Sequence, residues 1–334
     1  MSAILVTGGT GFLGEAVVSE LIRRGGSDPI RVLVRGTYEP AYRDEVQLLR
    51  GDVVHDPPGD TPLGEALAGC ATVYHLAGFV SRDPAAGPGM MRVHVDGTRR
   101  LLHAAAAAGV RRVVVASSSG TLAVSRTATP LLDERAPYAT ELGGRWPYYL
   151  SKIYQETLAL ALGRELGLEI VVVNPSLLLG PGDRRQSSTA DVLRFLRRQL
   201  PAIPRGGVSF VDVRDAAAAT VEAMARGRAG ERYLLGGPNW SGKEFFGRLE
   251  RASKVRGPLF SLPDPVSRLG AALVEEVYRK LEREPPVDRV SVEMGEVFWY
   301  CDSSRARREL DFNPRDPGET LDETIRWLRV HVRV

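Results

Sequence analysis

Apolar positions in the first half of the chain fall into short unbroken runs, separated by longer stretches with a helical repeat. The runs cover residues 4–6, 30–34, 73–76, 113–116 and 170–173; a sixth candidate at 46–49 is interrupted by Gln47. Runs without polar alternation suit strands covered on both faces, and therefore a parallel sheet. Residues 12–24, 61–68, 91–108 and 148–166 repeat apolar side chains at helical spacing. Strand and helix patterns that alternate in this way predict a doubly wound parallel α/β sheet.

The pattern loosens after residue 180, where Pro181-Gly182 breaks the sixth strand. An amphipathic segment at 191–200 ends at Pro201. A strand at 208–211, a helix at 216–225 and a strand at 233–235 return to sheet-like character, and 241–334 reads as mostly helical with proline breaks at 263–265 and 285–286. The expected organisation is a sheet domain at 1–180 plus 208–236, and a smaller discontinuous lobe at 181–207 plus 237–334 that closes one side of a ligand cleft. Ligands in open α/β sheets bind beyond the carboxyl ends of the strands, where such a lobe would sit.

The chemistry begins at the first strand. Thr7-Gly8-Gly9-Thr10-Gly11-Phe12-Leu13-Gly14 joins that strand to the first helix. Gly8 permits a tight turn, Gly11 lets the backbone approach phosphates, and Gly14 lets the helix pack close to the strand. Exposed N–H groups at the helix start then seat a pyrophosphate, the signature of a Rossmann dinucleotide fold. The second strand runs into Arg35, at the position that faces the adenine ribose, and no Asp or Glu lies between residues 30 and 38. Guanidinium matches a 2′-phosphate and an acidic group repels it, so NADP is favoured and NAD remains possible. Asp52 and Val53 are placed to hold adenine, and Leu76-Ala77-Gly78 to let the backbone approach the cofactor. His75 reads as a core histidine.

Basic and acidic residues nearly balance, 44 against 41, which points away from nucleic acid and anionic membrane surfaces. Two cysteines, Cys70 and Cys301, do not make a disulfide framework, and with five histidines no metal-ligand spacing is present. Without a leader pattern or a run long enough to span a bilayer, a cytoplasmic protein is expected.

Three further features converge on a catalytic site. The fifth strand ends in Ser117-Ser118-Ser119-Gly120-Thr121, the sixth in Asn174-Pro175-Ser176, and Tyr148 and Lys152 lie four apart at the start of a helix, on one face. With the glycine turn, Gly97-Thr98 and Phe210-Val211-Asp212-Val213-Arg214-Asp215, these motifs resemble the extended short-chain dehydrogenase/reductase family across residues 1–240. Ser118-Ser119-Gly120-Thr121 together with Arg35 is most similar to its dihydroflavonol 4-reductase-like branch, whose members mostly reduce ketones or aldehydes with NADPH.

The resemblance implies Tyr148 as the acid that protonates a carbonyl oxygen, Ser118 as the hydrogen-bond donor to that oxygen, and Lys152 as the group that lowers the phenol pKa and holds the nicotinamide ribose. Cofactor contacts are expected from Thr7, Gly8, Thr10, Gly11, Phe12, Leu13, Gly14, Arg35, Asp52, Val53, Leu76, Ala77, Gly78, Ser117, Tyr148, Lys152, Asn174, Pro175 and Ser176. Ser119 competes with Ser118 for the carbonyl, Ser117 is expected to point to the other side, and Tyr149 to pack. His94 stands where the family commonly has asparagine, and serves either as a hydrogen-bonding substitute, as a proton relay, or neutrally.

The expected function is NADPH-dependent reduction of a carbonyl on a small secondary metabolite. A nucleotide-sugar 4-epimerase or a hydroxysteroid-type dehydrogenase are alternatives on the same scaffold. A non-catalytic NADP-binding sensor is the alternative of another class, although sensors often lose the Tyr/Lys pair. Dehydration is disfavoured because Ser119-Gly120, rather than an acidic pair, follows Ser118. Phe79, Trp146, Leu178, Arg184, Phe195 and Trp240 are candidates for the substrate pocket, and the helices at 91–108 and 148–166 carry faces that could form a homodimer.

Overall fold

Seven parallel strands carry the chain's first layer: β1 Ala3–Thr7, β2 Ile30–Val34, β3 Gln47–Arg50, β4 Cys70–His75, β5 Arg112–Ala116, β6 Glu169–Pro175 and β9 Arg232–Leu235. Their order across the sheet is β3-β2-β1-β4-β5-β6-β9. The order reverses between β1 and β4, which creates the crevice where doubly wound sheets bind ligands. The computed structural model describes residues 2–36, 40–55, 62–200, 202–258 and 289–332. The expected proline breaks at 263–265 and 285–286, and Pro201, lie outside the described residues.

Burial follows the strand period of two. Val6, Val32, Val114 and Val171 face one side, against Val17 and Val18 of the helix Phe12–Arg24 and the alanines of the helix Val213–Arg226. Leu5, Val73, Val113 and Val115 face the other, against Leu101, Leu102 and Ala159. Both faces are covered, which is why the strands read as continuous apolar runs.

Helix ends set the register of the site. Pro147 occupies the first turn of the helix Pro147–Leu166 and Gly167 closes it with φ +72°. Proline at the start and a left-handed glycine at the end leave little freedom in where such a helix begins and stops. Tyr148 therefore falls in the first turn and Lys152 in the next. The helical stretch before β5 runs from Gly87–Met91 through a π turn at Arg92–Asp96 into Gly97–Ala107, and the π turn carries His94.

The remaining strands form a second, smaller sheet. β7 Leu177–Leu179 and β11 Phe298–Trp299 pair in parallel with β8 Gly207–Asp212, and β10 Asn239–Ser241 pairs antiparallel with it. β8 thus belongs to the small sheet, whereas β9 joins the large one beside β6. Phe195, Phe210, Trp240, Phe245, Phe246 and Leu249 form a core of their own with Leu321, Ile325 and Leu328 of the helix Pro317–His331.

Candidate active site

The carboxyl ends of β1, β2, β4, β5 and β6 open into one cleft of about 1440 Å³, bounded on its far side by segments 182–209 and 290–299. That volume exceeds the usual small-molecule pocket and leaves room for a dinucleotide together with a second ligand.

The glycine turn forms its floor. Gly8 has φ +73°, and a Cβ there would lie 2.5 Å from the Ala77 nitrogen; a Cβ on Gly14 would lie 2.0 Å from the Gly8 carbonyl oxygen. The third glycine thus packs against the turn itself. Thr10, Gly11, Phe12, Leu13 and Gly14 line the cleft, as do Arg35, Leu76, Gly78, Ser117, Pro175 and Ser176. Gly11 precedes the helix with no side-chain cap, so the first N–H groups are not covered by a capping side chain. Ser117 and Ser176 have buried hydroxyls with no hydrogen-bond partner among the described residues. Bare helix N–H groups, unpartnered hydroxyls and an exposed arginine at the end of β2 fit the phosphates and hydroxyls of a dinucleotide.

The side chains of other expected cofactor residues have partners within the fold. Thr7 places its hydroxyl 2.8 Å from His75 Nδ1. Asp52 accepts the Val54 N–H at 2.8 Å, Val53 is buried in the core beside Gly97, and neither lines the cleft. Ala77 contributes the close backbone contact to Gly8. Asn174 lies behind Ser118, donating to the Ser118 carbonyl at 3.2 Å and to Glu156 Oε2 at 2.9 Å. Thr121 donates to the same carbonyl at 2.8 Å. Asn174 and Thr121 therefore brace the serine turn from the side away from the cleft.

At the end of β5 the chain leaves the sheet into the short turn Ser119–Thr121, and the Ser118 hydroxyl accepts the Gly120 N–H at 3.4 Å. Ser117, Ser118 and Ser119 all line the cleft. Strand alternation would send Ser117 to the opposite face, but the strand has already ended at Ala116. Ser118 acts on the Tyr148 phenol, favouring its ionised form, which separates it from its neighbours. Burial pushes that phenol up to about 12, and Ser118 offsets only part of the rise. The lowering expected from Lys152 is not what the protein alone produces, because a buried phenolate loses more hydration than one hydrogen bond returns.

Lys152 is buried and pulled down to about 7, chiefly by loss of water, with Glu156 acting in the opposite sense. Its Nζ donates to the Ala116 carbonyl at 2.8 Å and to Gln155 Oε1 at 2.9 Å.

His94 has both ring nitrogens engaged. Nε2 accepts the Phe79 N–H at 3.0 Å, so the imidazole proton sits on Nδ1, 2.8 Å from Ser151 Oγ, which in turn donates to the Tyr148 carbonyl at 2.7 Å. Burial holds His94 well below the usual imidazole range. It ties the loop after β4 to the Tyr148 helix through both ring nitrogens. His75 is a satisfied core histidine, bonded at both nitrogens.

Of the expected pocket residues, Phe79, Trp146, Leu178 and Arg184 line the cleft, while Phe195 and Trp240 are buried in the small-lobe core. Tyr149 packs, as expected, but also lines the cleft: its ring stacks on Trp299 at 4.7 Å, with Trp146 5.4 Å from Trp299. Arg82, Asp191 and Ser291 meet there as well, and nothing in their local sequence marks them. Among the described residues, no helix is long and apolar enough to cross a membrane.

Comparison with known proteins places this geometry. The NAD dependent epimerase/dehydratase family matches residues 4–236. The chain is 30% identical over 337 residues to sterol demethylase protein B of Methylococcus capsulatus, covering 97% of this chain and 98% of that protein. It is 30% identical over 319 residues to 4-hydroxy-2-methyl-3-oxo-4-farnesyl-3,4-dihydroquinoline-1-oxide ketoreductase of Stigmatella aurantiaca, covering 93% and 91%. Dihydroflavonol 4-reductase of Zea mays is 29% identical over 197 residues, 53% of each chain. The crystal structure of gox2253 superposes over the full length of both chains with a TM-score of 0.84 and 32% identity. The chain belongs to the NAD dependent epimerase/dehydratase family of extended short-chain dehydrogenases/reductases, and is an NAD(P)-dependent enzyme acting at CH–OH or C=O groups.

Proposed function

We propose that the chain is an NADPH-dependent reductase of a ketone or aldehyde on a small, largely apolar molecule. The observation that carries this reading is that Tyr148, Ser118 and Lys152 line one cleft, with Lys152 one helical turn from Tyr148. Gly11–Gly14, Ser117 and Ser176 would hold the dinucleotide, and Arg35 its 2′-phosphate. When bound, the reduced nicotinamide supplies a hydride. The chain supplies what that transfer leaves unmet: a proton and a donor for the charge that grows on oxygen.

A buried phenol held near 12 keeps its proton throughout the neutral range, so Tyr148 is in its acid form for reduction. Ser118 would donate a hydrogen bond to the same oxygen, worth most where water is excluded. Lys152 supplies a cation beside the site when protonated. The substrate side of the cleft carries an apolar patch of Trp146, Tyr149, Trp299, Val290 and Met294 beside the charged Arg82, Asp191 and Arg205, and the apolar patch suits the body of such a molecule.

The test is NADPH oxidation across a panel of aromatic and aliphatic carbonyl compounds, with wild type compared to Tyr148→Phe. Cofactor binding survives the change and turnover falls about 10²-fold or more, as loss of a positioned acid requires. Equal activity of the two proteins overturns the assignment. NADPH binding without oxidation of any carbonyl overturns it in favour of a sensor.

A further inference from the structure

Gln155 lies three residues beyond Lys152, has no exposed surface, and belongs to no motif noted in the sequence. Its Oε1 accepts from Lys152 Nζ at 2.9 Å and its Nε2 donates to Thr98 Oγ1 at 2.9 Å. Thr98 Oγ1 is 2.9 Å from His75 Nε2, and His75 Nδ1 is 2.8 Å from Thr7 Oγ1.

Donor chemistry orders this chain in one direction. An ammonium only donates, so the Gln155 atom facing it is the carbonyl oxygen. The amide N–H then goes to Thr98, whose own proton goes to His75 Nε2. The remaining imidazole proton sits on Nδ1 and is given to Thr7. All five side chains are buried, which makes an unmet member costly and the arrangement stiff.

A protonated Nζ has three N–H groups. The Ala116 carbonyl takes one at 2.8 Å and Gln155 a second. Lys152 also lines the cleft.

We propose that Gln155 is a positioning residue for Lys152: its side-chain oxygen, held by Thr98, fixes Nζ against Ala116 and leaves the third N–H for the cleft. The geometry stands by itself, while its effect on turnover rests on the reductase reading.

The titratable groups coupled to Nζ are Glu156 from its own helix, His75 from β4 and His94 from the π turn; β5 offers the Ala116 carbonyl. Both histidines are kept neutral by burial and by the lysine charge. The Gln155 oxygen therefore favours the charged lysine against desolvation. Its removal lowers the pH at which Lys152 loses its proton, and an activity that needs the cation is then lost at lower pH.

The experiment uses the full chain, which contains four lysines, at positions 152, 243, 254 and 280. Side-chain-labelled lysine is titrated by NMR, with the Lys152 signal assigned by its absence from Lys152→Met. In Gln155→Leu the Lys152 midpoint falls by about one pH unit or more, and in Gln155→Glu, which restores an acceptor, it returns to or above the wild-type value. In steady state the alkaline limb of kcat/KM for NADPH moves down by the same interval in Gln155→Leu, kcat at neutral pH falls about tenfold, and Gln155→Glu recovers most of it.

An unchanged midpoint in folded Gln155→Leu overturns the proposal. So does a loss of kcat with midpoint and limb both in place, the mark of a purely structural role. Should the leucine variant not fold, Gln155→Glu decides: a midpoint below wild type overturns the proposal and one at or above it supports it. Absence of carbonyl turnover in wild type defeats the reductase reading and leaves the NMR result standing.

Discussion

Arg82 grips both carboxylate oxygens of Asp191, at 2.9 and 2.6 Å, and so joins the loop after β4 to the helix Ala190–Leu196 across the substrate side of the cleft. Arg82 also donates to Ser291 at 3.2 Å. The two side chains are about one-third exposed, so solvent screens the pair and its geometry matters more than its charge. A double-mutant cycle over Arg82→Ala and Asp191→Ala should give a coupling of about 1 kcal/mol in thermal or urea unfolding. Arg82→Ala should raise the KM for the carbonyl compound several-fold with kcat nearly unchanged, because the pair shapes the cleft without reaching the reacting atoms. A fall in kcat at constant KM would contradict that placement.

Arg35 sits exposed where β2 ends and lines the cleft. Arg35→Asp replaces a cation that matches a 2′-phosphate with an anion that repels it, so the ratio of kcat/KM for NADPH over NADH should fall about 10²-fold, equivalent to roughly 3 kcal/mol. The two coenzymes are compared with one carbonyl substrate. An unchanged ratio would place the 2′-phosphate elsewhere.

His75 and His94 are neutral in the fold, His75 down to about 3 and His94 well below its ordinary value, both through burial. In the unfolded chain each takes up a proton near pH 6.5. The unfolded state therefore binds more protons below that point, and stability falls as pH drops from about 6.5 toward 3, by up to about 1.4 kcal/mol per pH unit for each histidine. His94→Asn removes one of the two groups. Urea unfolding between pH 7 and 5 should show a shallower loss in His94→Asn than in wild type. Equal slopes would mean that His94 is protonated in the folded protein.

Asp183 is buried, and its carboxylate accepts from the N–H groups of Ser187, Ser188 and Thr189 and the hydroxyls of Ser187 and Thr189. This closes the loop that faces the glycine turn, where Gly182 lies against the Phe12 ring. Asp183→Ala leaves several donors without their acceptor at once and should cost about 2–4 kcal/mol of stability. The KM for NADPH should rise with it, since Gly182 to Ser188 line the cleft. Calorimetry and steady-state kinetics on the same preparation check both effects.

The parts of this protein legible in its sequence are those set by short-range rules. Strand runs, helix repeats and the glycine turn each depend on neighbours within a few residues, and Pro147 and Gly167 mark the two ends of the helix that carries Tyr148 and Lys152. One helical turn between those two side chains is enough to place them on a common face. The place of Ser117, Ser118 and Ser119 in the cleft was reachable by the same logic, because they lie where a strand must stop.

What only the tertiary structure decided are contacts between distant segments. Asn174 is legible only as a polar residue at a strand end; its amide bonds to Glu156 and to the Ser118 carbonyl come from folding. Gln155 reads as one more polar residue on a helix, until folding sets Thr98 and the Ala116 carbonyl beside it and Lys152. The pair Arg82–Asp191, 109 residues apart, and the stack of Tyr149 on Trp299 have no local signature at all. Local pattern determines which face of an element is apolar; which polar atom meets which partner depends on how whole elements dock, and the cost of burying an unpaired polar group makes that choice only once water has been expelled.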